Sequence, residues 1–273
     1  MNAFEAVALV PDWDPDDFEI QELKGGLTNR TYRLHRDGID YVLRLDAEDA
    51  GFFQFDRSSE LLILAEAGEA GLGPRMVHSD QPRGIMVMEF LQGRVWDDAD
   101  MQSQSSLESL AELLRKIHAL PLCGTRLDTA AVGAAYESYL EQRQGLHSYA
   151  SHCVEIINSV PVRDDVVCCH NDIVAANVVE GSSLMMIDWE YSCDNDPMFD
   201  LASAIGFHNL DGERADILLD AYAGGVRAET KERLSEQLRV YDAIQWLWLA
   251  SRHLVFPSTA QARRLEHLQQ RIG

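Results

Sequence analysis

The sequence predicts an α+β protein in two parts, residues 1–90 rich in strand and residues 91–273 rich in helix. Three observations lead there. Short runs alternating apolar and polar residues crowd the first part, separated by Gly, Pro and Asp-Gly turn signals. Apolar residues at helical spacing fill most of the second part. Within it, the stretch from Val166 to Asp200 breaks the helical pattern with two apolar runs, VVCC and SLMMID, flanking a polar loop, HNDIVAAN. The expected architecture is an N-terminal five-stranded antiparallel sheet with one helix, then a mainly helical part containing a β-hairpin.

Each element has its own signal. Residues 3–10 are weakly helical, and Pro11 ends them. Strands are expected at 18–23, 28–35 and 39–45, with a Gly25-Gly26 turn and a strong Asp37-Gly38 hairpin signal between them. A helix over 56–70 has Asp56 as its cap and Leu61, Leu62, Leu64 and Ala65 as its apolar face, and Gly71, Gly73 and Pro74 end it. Strands at 75–79 and 85–90, joined by Gln-Pro-Arg-Gly, complete the sheet, and Gln92-Gly93-Arg94 reads as a linker. Leu107, Leu110, Ala111, Leu114 and Ile117 mark a helix that Pro121 stops. A helical stretch over 129–159 is broken near Gly145, and further helices are expected at 201–208, 213–222, 231–256 and after Pro257. Gly181-Ser182 supplies the turn that follows the polar loop.

Composition removes several function classes. Hydrophobic content of 46% and charged content of 25% are those of an ordinary globular protein. No run approaches the ~18 apolar residues of a membrane span. The start, MNAFEAVALVPDWDPDD, lacks the basic region of a signal peptide, so a cytoplasmic location is expected. A formal net charge of -22 argues against nucleic acid and anionic membranes as partners, and is compatible with a cationic small molecule or with solubility alone. Five cysteines without a CxxC pair read as reduced thiols packed in strands, and Cys168-Cys169-His170 does not have zinc spacing.

The polar loop carries the chemistry. His170, Asp172 and Asn177 read HxD followed by N, and Asp188 ends the second apolar run. Phosphoryl transfer from ATP asks mainly for positioning: a carboxylate at the acceptor hydroxyl, oxygen ligands for Mg²⁺, and cations on the phosphates. Asp172 suits the base, and Asn177 with Asp188 suits the metal.

HNDIVAAN and MIDWE, taken with the β-rich first part, resemble the catalytic and metal loops of protein-kinase-like small-molecule kinases: choline and ethanolamine kinases, thiamine kinases and aminoglycoside phosphotransferases. The resemblance implies a two-lobed protein-kinase-like fold with ATP and Mg²⁺ as cofactors. Asn171 in place of arginine, and Trp189-Glu190 in place of Phe-Gly, point away from protein kinases. By the same resemblance Gly25, Gly26, Thr28 and Asn29 form a phosphate-covering hairpin, and Arg44 holds the position of the phosphate-gripping lysine. Glu60, with Glu66 as the alternative, would pair with Arg44, and Met88-Glu89-Phe90 would form the adenine hinge. His170 would orient the loop, and Asp200 would tie it or cap a helix.

The acceptor is expected to be a small, cationic alcohol such as choline, ethanolamine or thiamine. Its site would draw on Trp189, Glu190, Tyr191, Asp194, Asp242 and Trp246, with Asp196, Tyr241 and Trp248 as further candidates. Choline kinases place two tryptophans three apart on a late helix. Trp246 and Trp248 are two apart, so at most one faces a shared pocket. An aminoglycoside or sugar phosphotransferase, or a non-catalytic nucleotide-binding module, carries the same motifs.

Overall fold

The computed structural model describes residues 1–23, 29–46, 57–143 and 145–273. The expected hairpin residues Gly25, Gly26 and Thr28, and the cap Asp56, lie outside the described residues.

In chain order, helix α1 (Ala3–Val7) precedes strands β1 (Glu19–Leu23), β2 (Asn29–Arg36) and β3 (Ile39–Asp46). Helix α2 (Arg57–Glu69) leads to β4 (Met76–Asp80), β5 (Ile85–Glu89) and the short β6 (Arg94–Val95). Helices α3 (Gln104–Ile117), α4 (Thr129–Leu140) and α5 (His147–Ser159) follow. Then come β7 (Val167–Cys169), β8 (Val178–Glu180), β9 (Leu184–Met186) and β10 (Cys193–Asn195). Helices α6 (Pro197–His208), α7 (Gly212–Ala223), α8 (Ala228–Val255) and α9 (Thr259–Ile272) close the chain.

The chain divides into two compact units, and neither is one continuous stretch. Met1–Trp96 groups with Ala176–Ser192, and Asp97–Ala175 groups with Cys193–Gly273. The stretch 176–192, which the sequence assigns to the second part, is therefore counted with the first unit.

The first unit holds the five-stranded antiparallel sheet, in the order β1-β2-β3-β5-β4. The β2–β3 turn is the expected one: Asp37 and Gly38 both have positive φ, as a tight hairpin turn of this hand requires. Alternation along the strands sorts the faces. Leu34, Leu43, Leu45, Ile85 and Val87 form one apolar core with Ala3, Ala6 and Val7 of α1. Arg44, between Leu43 and Leu45, faces the other way and pairs in register with Met86. The buried residues of α2 include Glu60, Ile63, Leu64 and Ala67. Of the expected apolar face only Leu64 is buried, and Leu62 is 56% exposed. The helix is turned so that Glu60 points inward to a charged partner, on the same side as Ile63, Leu64 and Ala67.

The predicted linker at Gln92–Arg94 is partly strand: Arg94 and Val95 pair with Glu180 and Val179 of β8. The hairpin of the first unit joins β8 to β9, with Val178 opposite Met186. The VVCC run is not part of it. As β7 it pairs with β10 in the second unit, Cys193 opposite Cys169.

The second unit is built on helices. Helix α3 buries Leu107, Leu110, Ala111, Leu114 and Ile117, the residues that the helical period picks out. The predicted break near Gly145 separates α4 from α5. Helix α6 is buried from Pro197 through Gly206, starting four residues before the expected position with Asp196 as its cap. No helix among the described residues is long and apolar enough to cross a membrane.

Candidate active site

Arg44 and Glu60 meet as a buried ion pair. Nη2 of Arg44 donates to Oε2 of Glu60 at 2.9 Å, and Nη1 donates to Oε1. The pairing resolves the choice between Glu60 and Glu66. Burial works against the Arg44 charge, yet the Glu60 carboxylate keeps its pKa above the ordinary value. Burial likewise disfavours the Glu60 anion, and Arg44 and Arg57 hold its pKa below the ordinary one.

Arg57 is a member that sequence reasoning missed. Its guanidinium lies 2.8 Å from Glu60, 3.1 Å from Asp46 and 3.7 Å from Glu190. Its signal was present: Arg57 and Glu60 are three apart on one helix, a spacing that brings charges together. Asn29, expected on phosphate, donates from Nδ2 to Glu190 Oε2 at 2.8 Å. Glu190, expected at the acceptor, is buried beside these cations in the first unit. The cluster sets two arginines, Arg44 and Arg57, against three carboxylates, Asp46, Glu60 and Glu190.

The β8–β9 hairpin brings the two proposed metal ligands to its open end. The Ile187 N–H donates to the Asn177 carbonyl at 2.9 Å, extending the ladder by one rung past Val178 and Met186. Asp188 follows with φ 65 and ψ 63, a left-handed conformation that Asp tolerates better than most residues. Its exposed side chain makes no capping bond to the turn that it begins. One amide oxygen and one carboxylate at a hairpin end match the hard oxygen donors that Mg²⁺ takes from protein, so the donor set fits the ion.

The expected hinge behaves differently from its reading. The Glu89 N–H donates to the Arg75 carbonyl at 2.9 Å and the Phe90 N–H to the Asp40 carbonyl at 3.2 Å. Those two donors are taken by neighbouring strands, and the Phe90 ring lies under the Arg33 guanidinium. Met88 remains in the β3–β5 ladder opposite Val42.

In the second unit, the His170–Ala175 loop lies against α6. Asp200 accepts the N–H groups of His170 at 3.0 Å and Asn171 at 2.7 Å. It also meets Nε2 of His118 at 2.9 Å, whose Nδ1 lies 2.7 Å from the Tyr222 hydroxyl. Asp172 is half-buried, and Asn171 beside it has φ 65. Cys169 joins His118 and Asp200 in a group of potential ligand atoms within 4.8 Å of one another. Burial pushes the Cys169 thiol well above its ordinary pKa, and the Asp200 oxygens already hold the loop, so the group reads as a hydrogen-bond network.

The sequence matches a family model described as the phosphotransferase enzyme family over residues 19–247. The chain belongs to this family. Protein LicA of Haemophilus influenzae is 28% identical over 208 residues, covering 72% of this chain and 61% of the relative, so the chain spans under two thirds of that relative's length. Thiamine kinase of Salmonella typhi is 27% identical over 234 residues, covering 85% of this chain and 79% of the relative. A crystal structure of a choline/ethanolamine kinase family protein from Mesorhizobium loti superimposes with a TM-score of 0.77 at 23% identity, over 99% of this chain and 92% of that one. The fold is the one that the resemblance implies.

In this family member, four residues expected at the acceptor have other work. Trp189 is 2% exposed, donates from Nε1 to the Met186 carbonyl at 3.0 Å, and packs where Gly73 has no side chain. Asp194 accepts the Cys123 and Gly124 N–H groups at 3.0 and 2.8 Å, fixing a turn. Asp242 forms an ion pair with Arg271, which also donates to the Gly206 carbonyl at 2.8 Å. Trp246 is fully buried, with its ring 4.6 Å from that of Tyr149. Asp194, Asp242 and Trp246 are held by partners that the sequence places too far away to foresee. Tyr191, and Trp248 among the further candidates, keep half-exposed positions.

Proposed function

We propose that this phosphotransferase moves the γ-phosphoryl group of ATP to a hydroxyl of a small cationic metabolite of the choline, ethanolamine or thiamine kind. The observation that carries the reading is the pairing of an amide and a carboxylate, Asn177 and Asp188, at one hairpin end, in the unit that also holds the Arg44–Glu60 pair.

Asp172 accepts the proton of the acceptor hydroxyl as its oxygen attacks phosphorus, and ADP leaves. Asn177 and Asp188 would hold Mg²⁺, which when bound would supply charge neutralisation on the phosphates. Arg44, fixed by Glu60, presents a permanent cation to them. The acidic excess of the cluster gives a physical reason for the metal: two arginines facing three carboxylates cannot by themselves attract a polyanionic triphosphate.

The cationic acceptor is supported by the names of similar proteins, a thiamine kinase and a choline/ethanolamine kinase family member. It is supported also by the net charge of -22, which draws cations. The test is ATP consumption with Mg²⁺ across choline, ethanolamine, thiamine, an aminoglycoside and a hexosamine. Turnover with one of the first three is expected. Turnover confined to the last two would replace this acceptor class, and none with any would sink the reading.

A further inference from the structure

Between β7 and the turn that begins at Ala175, the loop around Asp172 runs without strand or helix, so its backbone donors need partners elsewhere. Side chains of one helix, α6, receive four of them, and the Val174 N–H turns back to the Asp172 carbonyl at 3.1 Å. Asp200 takes His170 and Asn171 at 3.0 and 2.7 Å, Ser203 Oγ takes the Ile173 N–H at 2.9 Å, and His208 Nε2 takes the Ala175 N–H at 3.0 Å. A helix rises about 1.5 Å per residue, so these acceptors extend roughly 12 Å along α6 while the loop runs beside them in the same sense. The residues on both sides of Asp172 are pinned through their N–H groups, Asn171 by Asp200 and Ile173 by Ser203.

His208 can accept from Ala175 only with a lone pair on Nε2. The ring is therefore neutral, with its proton on Nδ1, which donates to Asp98 Oδ1 at 2.9 Å. The helix itself is fixed. A Cβ on Gly206 would lie 2.7 Å from the Tyr241 ring, and Arg264 and Arg271 bond the carbonyls of Phe207 and Gly206.

We propose that Ser203 and His208 are positioning residues for Asp172, acting through the loop backbone; the proposal rests on the reading of Asp172 as the base. Neither touches the reacting atoms. Their contribution is to orientation of the carboxylate, which appears in turnover and not in substrate binding.

The test compares Ser203→Ala, His208→Phe and His208→Gln in the full chain, with the acceptor that the panel identifies. For Ser203→Ala and His208→Phe we expect kcat to fall about tenfold, the loss of one buried hydrogen bond, with the KM for ATP within about twofold. His208→Gln keeps an acceptor and should stay within about threefold of the parent. Amide exchange at Ile173 should quicken in Ser203→Ala, and at Ala175 in His208→Phe, with exchange elsewhere in α6 unchanged. Faster exchange without loss of kcat would overturn the proposal, as would a KM rise matching the kcat fall. Should the parent turn over no acceptor, the kinase reading fails on its own. Unchanged exchange at both amides would then overturn the positioning independently.

Discussion

Arg44 of β3 and Glu60 of α2, sixteen positions apart, form a two-pronged ion pair whose side chains are 8% and 1% exposed. Removing Glu60 takes both prongs from the buried Arg44 guanidinium and leaves it Asp46, 3.6 Å from Nε. Glu60→Gln should therefore cost on the order of 3–5 kcal/mol of stability, read from chemical denaturation. Arg44→Lys should not restore the parent, because an ammonium cannot reproduce the two-pronged contact.

The same pair predicts an acid limb. The Glu60 pKa is held below its ordinary 4.5 in the folded state, against burial, by Arg44 and Arg57. The folded protein binds its proton less readily than the unfolded chain does. The stabilisation is fully present above about 4.5 and is lost as pH falls through the folded value. Denaturation midpoints measured across pH 3–6 should fall more steeply for the parent than for Glu60→Gln.

His208 gives a second limb at higher pH. Burial lowers its pKa from 6.5, with help from Arg264 and opposed by Asp98. Neutral in the fold and cationic when unfolded, it contributes stability above about 6.5 that is lost as pH falls from there through the folded value. The His208→Gln variant should lack this step in its melting temperature. An identical pH profile in the variant would count against the neutral ring.

Asp172→Ala should lower turnover by about 10²–10⁴, the usual effect of removing a positioned base, while leaving Mg-ATP affinity intact. Asp188→Ala should instead abolish the Mg²⁺ dependence of nucleotide binding. Calorimetry separates the two, and equal Mg-ATP affinity in Asp188→Ala and the parent would remove Asp188 from the metal.

Asp242→Asn distinguishes structural from acceptor roles. Its carboxylate holds Arg271, which holds the end of α6. The variant should lose about 2 kcal/mol in denaturation, with the acceptor KM unchanged. A large rise in KM with full stability would return Asp242 to the acceptor site.

Local signals were the legible ones. The β2–β3 turn announces itself in Asp37-Gly38, and α3 in its five apolar residues, because both depend on neighbours a few positions away. The loop HNDIVAAN stands out in the sequence because its polar residues interrupt two apolar runs. What depends on distant partners was not legible. The face that α2 buries carries Glu60 with Ile63, Leu64 and Ala67, and leaves Leu62 outside. Strand β10 has only Cys193, Asp194 and Asn195 to declare it, a run with no apolar alternation. Trp246 and Asp242 look like a cation cage on a helical wheel, and they are core and ion pair because Tyr149 and Arg271 come from other helices.

The interleaving of the two units has a consequence for synthesis. Strand β6 lies at residues 94–95, but its partner β8 begins at residue 178. A chain emerging from the ribosome at about 5–20 residues per second would hold the sheet of the first unit for roughly 4–16 s before β8 appears. During that interval β6, which belongs to the separate β6-β8-β9 sheet, has no strand to pair with, and Trp96 lacks the Val178 carbonyl that its N–H later meets. Truncations ending near residue 96 should accordingly aggregate or require chaperones, and the helical unit has to be largely made before the first unit can close.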